Sequence, residues 1–164
     1  MRGKSRIAVR VARAGDDFSD WTGLLSLLHE AFAYMEGRID PPSSLHHLTP
    51  ALIAKKAKEE TLLLATDKGE LVGCVFAVQK DDAFYVGKLA VRINRQGEGI
   101  GRRLMDAAEE LARKSGLAFL ELSTRVELLE NHATFAAMGF VKTAETSHPG
   151  YDRTTSITMR KRLP

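Results

Sequence analysis

The chain has 164 residues, 44% of them hydrophobic, which suits one domain spanning 1–164 around a single sizeable core. Its 24 Lys and Arg against 21 Asp and Glu leave a net charge of only +3, too small an imbalance to argue for a nucleic-acid partner. No apolar run approaches the roughly 18 residues of a membrane span, and the basic residues Arg2, Lys4 and Arg6 lack a signal-like apolar stretch behind them. Cys74 is the lone cysteine, so no intrachain disulfide is available, and the expectation is a cytoplasmic protein with no membrane partner.

In chain order, IAVRVAR (7–13) alternates and predicts a first strand. From Trp21, residues Leu24, Leu25, Leu28, Phe32 and Met35 recur at helical spacing, with Ser19 or Asp20 as the cap and an end near Gly37. RIDPPSSLHHL reads as a loop placed over a site, and Thr49-Pro50 opens a second helix through PALIAKKAKEE. TLLLATD and ELVGCVFAVQ flank the turn Lys68-Gly69, and AFYVGKLAV (83–91) makes another strand reached through Asp81-Asp82. A helix over 100–114 keeps Ile100, Leu104, Ala108 and Leu111 on one face and stops at Gly116. GLAFLELST is a strand of the type buried on both faces, LLENHATFAAM a short helix stopped by Gly139, and the tail from Asp152 to Leu163 a last strand. The order β, α, α, β, β, β, α, β, α, β, β predicts an α/β (α+β) fold. Helices cover both faces of a mixed, mostly antiparallel sheet of about six or seven strands. Segments 83–91, 100–114 and 117–123 form a central βαβ unit, which requires parallel pairing.

The stretch RQGEGIGRRL sets Gly97, Gly99 and Gly101 at alternate positions in front of that helix. Glycine presents its N–H without a Cβ and tolerates positive φ, so these amides can converge on an anion where the helix dipole is positive, with Arg95, Arg102 and Arg103 adding charge. A phosphate-binding P-loop is excluded, because Arg102 and Arg103 stand where Lys-Ser or Lys-Thr belong. A dinucleotide fingerprint lacks its third glycine, although Glu121 stands where a ribose-binding acid could lie. It stays open as a minor alternative.

Gln96-Gly97-Glu98-Gly99-Ile100-Gly101 resembles the pyrophosphate loop of the GNAT superfamily of acyl-CoA-dependent N-acetyltransferases. The preceding KLAV (88–91) resembles the strand that leads into that loop, and NHATFAAMGF (131–140) the later family segment ending in Gly-Phe. The resemblance covers nearly the whole chain. It implies acetyl-CoA as co-substrate, an amine acceptor attacking the thioester directly in a ternary complex, no metal, and a homodimer. Backbone amides of Leu89, Ala90 and Val91 would hold the pantetheine arm, and those from Gln96 through Arg102 the pyrophosphate. Asn131 would bond the cofactor arm, with a helix N-cap as the competing reading.

At Phe135, beside the cofactor, many family members carry a tyrosine that protonates the departing thiolate. Its absence leaves the general acid to Tyr85 or Tyr151, and keeps open a non-catalytic acyl-CoA sensor. For the base, Glu121 is the first candidate, as a carboxylate within an apolar strand; Glu36 is the second. His46, His47, His132 and His148 lack metal spacing. The small-molecule or peptide amine is expected between the loop Ala33 to Leu48, with Tyr34, Arg38 and Asp40, and SHPGYDR (147–153). Arg38 or Arg153 is available there for a carboxylate.

Overall fold

The computed structural model describes residues 9–164. Arg2, Lys4, Arg6 and the first two residues of the expected strand 7–13 lie outside the described residues. Strand β1 (Val9–Arg13) precedes helices α1 (Trp21–Phe32) and α2 (Pro50–Glu59), then strands β2 (Thr61–Asp67), β3 (Glu70–Lys80) and β4 (Ala83–Val91). Helix α3 (Ile100–Lys114), strand β5 (Phe119–Arg125), helix α4 (Leu129–Ala137) and strands β6 (Val141–Thr146) and β7 (Ser156–Arg162) complete the order. The seven strands form one sheet in the order β1-β2-β3-β4-β5-β7-β6, antiparallel except for β4 with β5.

Strand alternation divides the interior into two layers. Leu63, Ala65, Val75 and Ala77 meet Ile100, Leu104, Met105 and Ala108 of α3. Their neighbours Leu62, Leu64, Cys74 and Phe76 meet Leu24, Leu27, Leu28 and Ile53 of α1 and α2. The apolar run TLLLATD therefore serves both faces. Asp20 caps α1 by accepting from the Gly23 amide, and Thr49 caps α2 ahead of Pro50. Lys68 and Gly69 take φ of +52° and +84°, the pair of positive values that suits a two-residue hairpin.

Three features open a site at the middle of the sheet. The β4–β5 ladder contains only Ala83–Phe119, Phe84–Leu120 and Tyr85–Glu121, after which the strands part. In β4, Gly87 opposes Phe76 and Ala90 opposes Cys74, so Lys88 and Leu89 together face Val75 in a bulge, with Lys88 at φ +53°. Gly73 lets α3 approach: a Cβ there would stand 3.0 Å from the Ala90 carbonyl, 3.1 Å from Leu104 Cδ1 and 3.2 Å from Ile100 Cγ2.

Several boundaries differ from the sequence reading, among them the starts of β5 at Phe119 and β7 at Ser156, both later than expected. Helix α1 stops at Phe32, short of Gly37, and a 3-10 turn over Ala33–Met35 follows. Strand β5 runs on to Arg125, because its whole length finds a partner in β7. Leu128, with no side-chain cap, precedes α4, so Asn131 sits inside that helix and not at its N-cap.

Candidate active site

Between the parted strands, the start of α3, the face of α4 and the 3-10 turn after α1 lies a cleft of about 720 Å³. One end is the glycine loop. Gln96 Nε2 donates to the Val91 carbonyl at 3.1 Å, tying the loop to the end of β4. Gly97 and Gly99 take φ of +86° and +84°, and a Cβ on either meets no atom within 4 Å. Backbone conformation, with no crowding neighbour, is what asks for glycine there. Gly101 departs from the sequence reading. It lies within α3, where a Cβ would make ordinary contact with Val91 Cγ2 at 3.7 Å, so neither crowding nor a left-handed turn requires glycine there.

Gly99 heads α3 without a side-chain cap, and no acidic residue occupies the first turn. The first backbone bond of the helix runs from the Arg103 amide to the Gly99 carbonyl at 3.0 Å. The amides of Ile100, Gly101 and Arg102 thus converge uncapped at the positive end of a 15-residue helix, the local chemistry of an anion cradle. The three arginines expected to add charge behave differently. Arg95, with 15% of its side chain exposed, lines the cleft but is locked to Glu98 and Asp67 at 2.9 Å each, so it braces the loop. Arg103 donates to the Val9 carbonyl at 2.9 Å. Arg102 is exposed and lines the cleft.

Leu89, Ala90 and Val91 line the next part of the cleft, along the edge of β4 that has left its ladder with β5. Asn131, Thr134 and Phe135 face it from α4. Phe135 packs edge-on against Phe140, their ring centroids 6.0 Å apart, and closes the wall with carbon. Asn131 Nδ2 donates to the Tyr34 phenol oxygen at 3.0 Å.

The expected catalytic residues are not brought together in this cleft. Glu121 is 8% exposed; it accepts from Arg160 Nε at 2.9 Å, and Lys80 Nζ stands at 3.9 Å. Tyr85, its neighbour across the last β4–β5 pair, lies beneath Lys80 Nζ, 5.3 Å from the ring centroid. Both sit where the strands are still closed, and neither lines the cleft. The reason is Arg160, which β7 sets directly opposite Glu121, turning a candidate base into half of an interior ion pair. Tyr151 donates to Asp40 Oδ1 at 2.6 Å, and that bond raises its pKa. It too lies outside the cleft.

The segment after α1 is pinned from the other side of the molecule. Arg38 makes a two-pronged pair with Glu130 at 2.6 and 2.8 Å, holding that carboxyl down at about 2. Arg153 donates to the Asp40 carbonyl at 2.9 Å, and Arg125 to the carbonyls of Pro41 and Pro42 at 2.6 and 3.3 Å. Asp40 is held below its usual range by Tyr151 first and Arg153 second. Arg38 and Arg153, expected as carboxylate readers, are therefore spent on anchoring. Glu36 pairs with His46 at 2.9 Å beside a separate pocket of about 160 Å³.

Sequence reasoning missed Lys88, Ser123, Arg125 and Glu130, all of which line the cleft. Lys88 is half-buried, and burial followed by the nearby Lys56 ammonium lowers its pKa. Its bulge position carries no pattern that a sequence displays. Glu130 and Arg125 become visible only when the anchored loop is in place.

The Acetyltransferase (GNAT) family profile matches residues 21–140 of this chain. The chain belongs to the GNAT acetyltransferase family. An IAA acetyltransferase of Azospirillum brasilense is 31% identical over 119 residues, 71% of this chain and 76% of that protein. The PaiA N-acetyltransferase of Thermoplasma acidophilum, solved in complex with coenzyme A, superposes with a TM-score of 0.78 at 13% identity, covering 94% of this chain and 99% of that one. An IAA acetyltransferase from Bacillus cereus ATCC 14579 gives a TM-score of 0.65 at 21% identity, over 94% and 99% of the two chains. In this GNAT acetyltransferase, no group of three or more His, Cys, Asp or Glu among the described residues could hold a metal ion. No helix among them is long and apolar enough to cross a membrane.

Proposed function

We propose that this GNAT chain transfers an acetyl group from acetyl-CoA to a primary amine by direct attack in a ternary complex. The observation that carries the reading is the uncapped start of α3 behind Gly97 and Gly99, continuous with the unladdered edge of β4. The first suits a pyrophosphate, and the second leaves backbone groups at Leu89, Ala90 and Val91 for a pantetheine arm and a thioester carbonyl. Direct attack is supported by Cys74. It is wholly buried, its Sγ donates to the Lys88 carbonyl at 3.5 Å, and burial pushes its thiol up to about 12, so it is no acyl carrier.

The acceptor end supports a narrower statement. Glu130 is the one carboxylate among the residues lining the cleft, no histidine lines it, and Glu130 is committed to Arg38 and held down at about 2. A carboxylate so acidic is a poor base, so the amine must give up its proton to water before it attacks. Arg125 lines the same end and favours a neutral amine and an acidic companion group on it. The acceptor class is therefore a weakly basic amine, such as an α-amino group of pKa about 7.7–8.0, in preference to a lysine side chain at about 10.4. At pH 7.5 roughly a quarter to two fifths of the former is neutral against roughly 0.1% of the latter.

The test is kcat/KM for CoA release over amines of graded pKa. Expected is a fall of about a hundredfold from α-amines to lysine-like amines, with each curve rising to a plateau near the amine's own pKa. Equal rates for both classes would mean that a base has been overlooked.

A further inference from the structure

We propose that Tyr34 is the catalytic acid of this site, its phenol passing a proton to the sulfur that leaves the acetyl group. The inference rests on the acetyl-transfer reading above and adds a residue and a role to it. A thiolate released into a cleft walled by Phe135 needs a proton donor, and few groups there qualify. The chain has three tyrosines, and only Tyr34 lines the cleft. Ser43, Ser123, Thr124 and Thr134 line it as well, but aliphatic hydroxyls are far weaker acids than a phenol. Lys88 is the remaining donor. The charged groups that act on it are Lys56 of α2, Glu60 just after that helix and Cys74 of β3, none of them on α4.

Geometry favours Tyr34. The 3-10 turn over Ala33–Met35 carries it across to α4. Its oxygen accepts from Asn131 Nδ2 at 3.0 Å, the reverse contact to Asn131 Oδ1 being longer at 3.4 Å. With the oxygen accepting, the phenol keeps its own proton to donate. Asn131 and Phe135 are four residues apart on one helix face, so the hydroxyl stands about one turn from the Phe135 ring, along the same wall. Arg38 lies 5.9 Å from the ring centroid and is itself fixed by Glu130, which gives the ring a rigid support. At 42% exposure Tyr34 also remains in contact with water.

The step balances as follows. The neutral amine forms a C–N bond to the acetyl carbon while the C–S bond breaks, its electron pair going to sulfur. Sulfur takes the phenol proton, the nitrogen loses its extra proton to water, and the phenolate regains one from water. One amine and one thioester become one amide and one thiol.

The experiment compares the wild type, Tyr34→Phe, Lys88→Met and the double variant Tyr34→Phe/Phe135→Tyr. Steady-state CoA release is followed across pH, and the CoA-induced rise in the thermal midpoint is measured in parallel. Expected for Tyr34→Phe is a kcat lower by on the order of a hundredfold with an unchanged CoA-induced rise. Phe135→Tyr on that background restores kcat, because it returns a phenol to the same wall. A kcat for Tyr34→Phe within twofold of wild type, a loss confined to KM, a double variant as slow as the single one, or a collapse of kcat in Lys88→Met would each overturn the assignment. A wild type that is stabilised by CoA yet releases none with any amine of the panel would overturn the acetyl-transfer reading, and this inference with it.

Discussion

Replacing Gly99 by alanine separates the loop's conformation from its ligand chemistry. Gly99 sits at φ +84° and ψ +10°, and a Cβ there meets no protein atom within 4 Å, so the cost to the free protein is backbone strain alone. Left-handed backbone costs an L-residue roughly 1–2 kcal/mol, which in a chain of this length lowers the midpoint by about 2–8 °C. The added methyl also stands over the uncapped amides of α3, where an anion would lie. A ligand at about 100 times its Kd stabilises by roughly 2.7 kcal/mol; tenfold weaker binding at the same concentration leaves roughly 1.4 kcal/mol. Differential scanning of the variant with and without CoA should therefore show a lower starting midpoint and a CoA-induced rise about half that of wild type. Gly116→Ala is the matched control: φ is +75°, again with nothing within 4 Å, but at the opposite end of α3. Its midpoint should fall by a similar amount with the CoA-induced rise intact. If Gly99→Ala keeps the full rise while its own midpoint drops, the loop is a turn and the cradle argument fails.

Three further outcomes follow from the packing and the charges. Gly73→Ala forces a methyl to 3.0 Å from the Ala90 carbonyl and against Ile100 and Leu104, so urea unfolding should show a loss of about 1–3 kcal/mol at unchanged m-value; a neutral result would mean that α3 can slide off the sheet freely. Glu130 should titrate near 2 by carbon-detected NMR and return toward 4.5 in Arg38→Gln. Because its folded value lies below its unfolded one, the anchor's contribution is present above pH 4.5 and is lost as the pH falls toward 2. An unperturbed Glu130 would show that the loop is not held there. Cys74, with its thiol pushed up to about 12, should resist a thiol reagent at pH 8 until the chain unfolds, and Cys74→Ala should keep its turnover. Rapid labelling of the native protein would put the burial in question.

The glycine loop was legible in sequence because its determinants are local. Gly97 and Gly99 take the positive φ that their spacing suggested, and the helix they precede starts at Ile100 as its apolar period required. Asp20, Thr49-Pro50, Lys68-Gly69 and Gly116 are likewise signals that act within a turn of themselves. Where reading failed, the determinant was far away in the chain. Glu121 looks like a base in LAFLELS until β7 brings Arg160 opposite it, 39 residues on. Arg95 looks like a phosphate ligand until the hairpin at Lys68-Gly69 places Asp67 within 2.9 Å.

The acceptor end is assembled almost entirely from such distant pairs, and this bears on how it works. Arg38 with Glu130, Tyr34 with Asn131 and Arg153 with Asp40 join residues 92, 97 and 113 positions apart. Each ties the segment after α1 to the half of the chain that begins at β5, across the gap where β4 and β5 part. In the proposed scheme, the segment that would meet the amine and the helix wall that would face the cofactor arm are thus one charge-braced unit, so a change that loosens the segment also displaces Tyr34 from Asn131. Substitutions at Arg38 or Glu130, neither of which contacts the reacting atoms in the proposed scheme, should consequently depress kcat and raise KM together. Substitutions at the glycine loop should act on cofactor affinity alone. That separation is what a site built from one local and one long-range half must produce; finding both halves coupled to both parameters would argue for a single cooperative loop in their place.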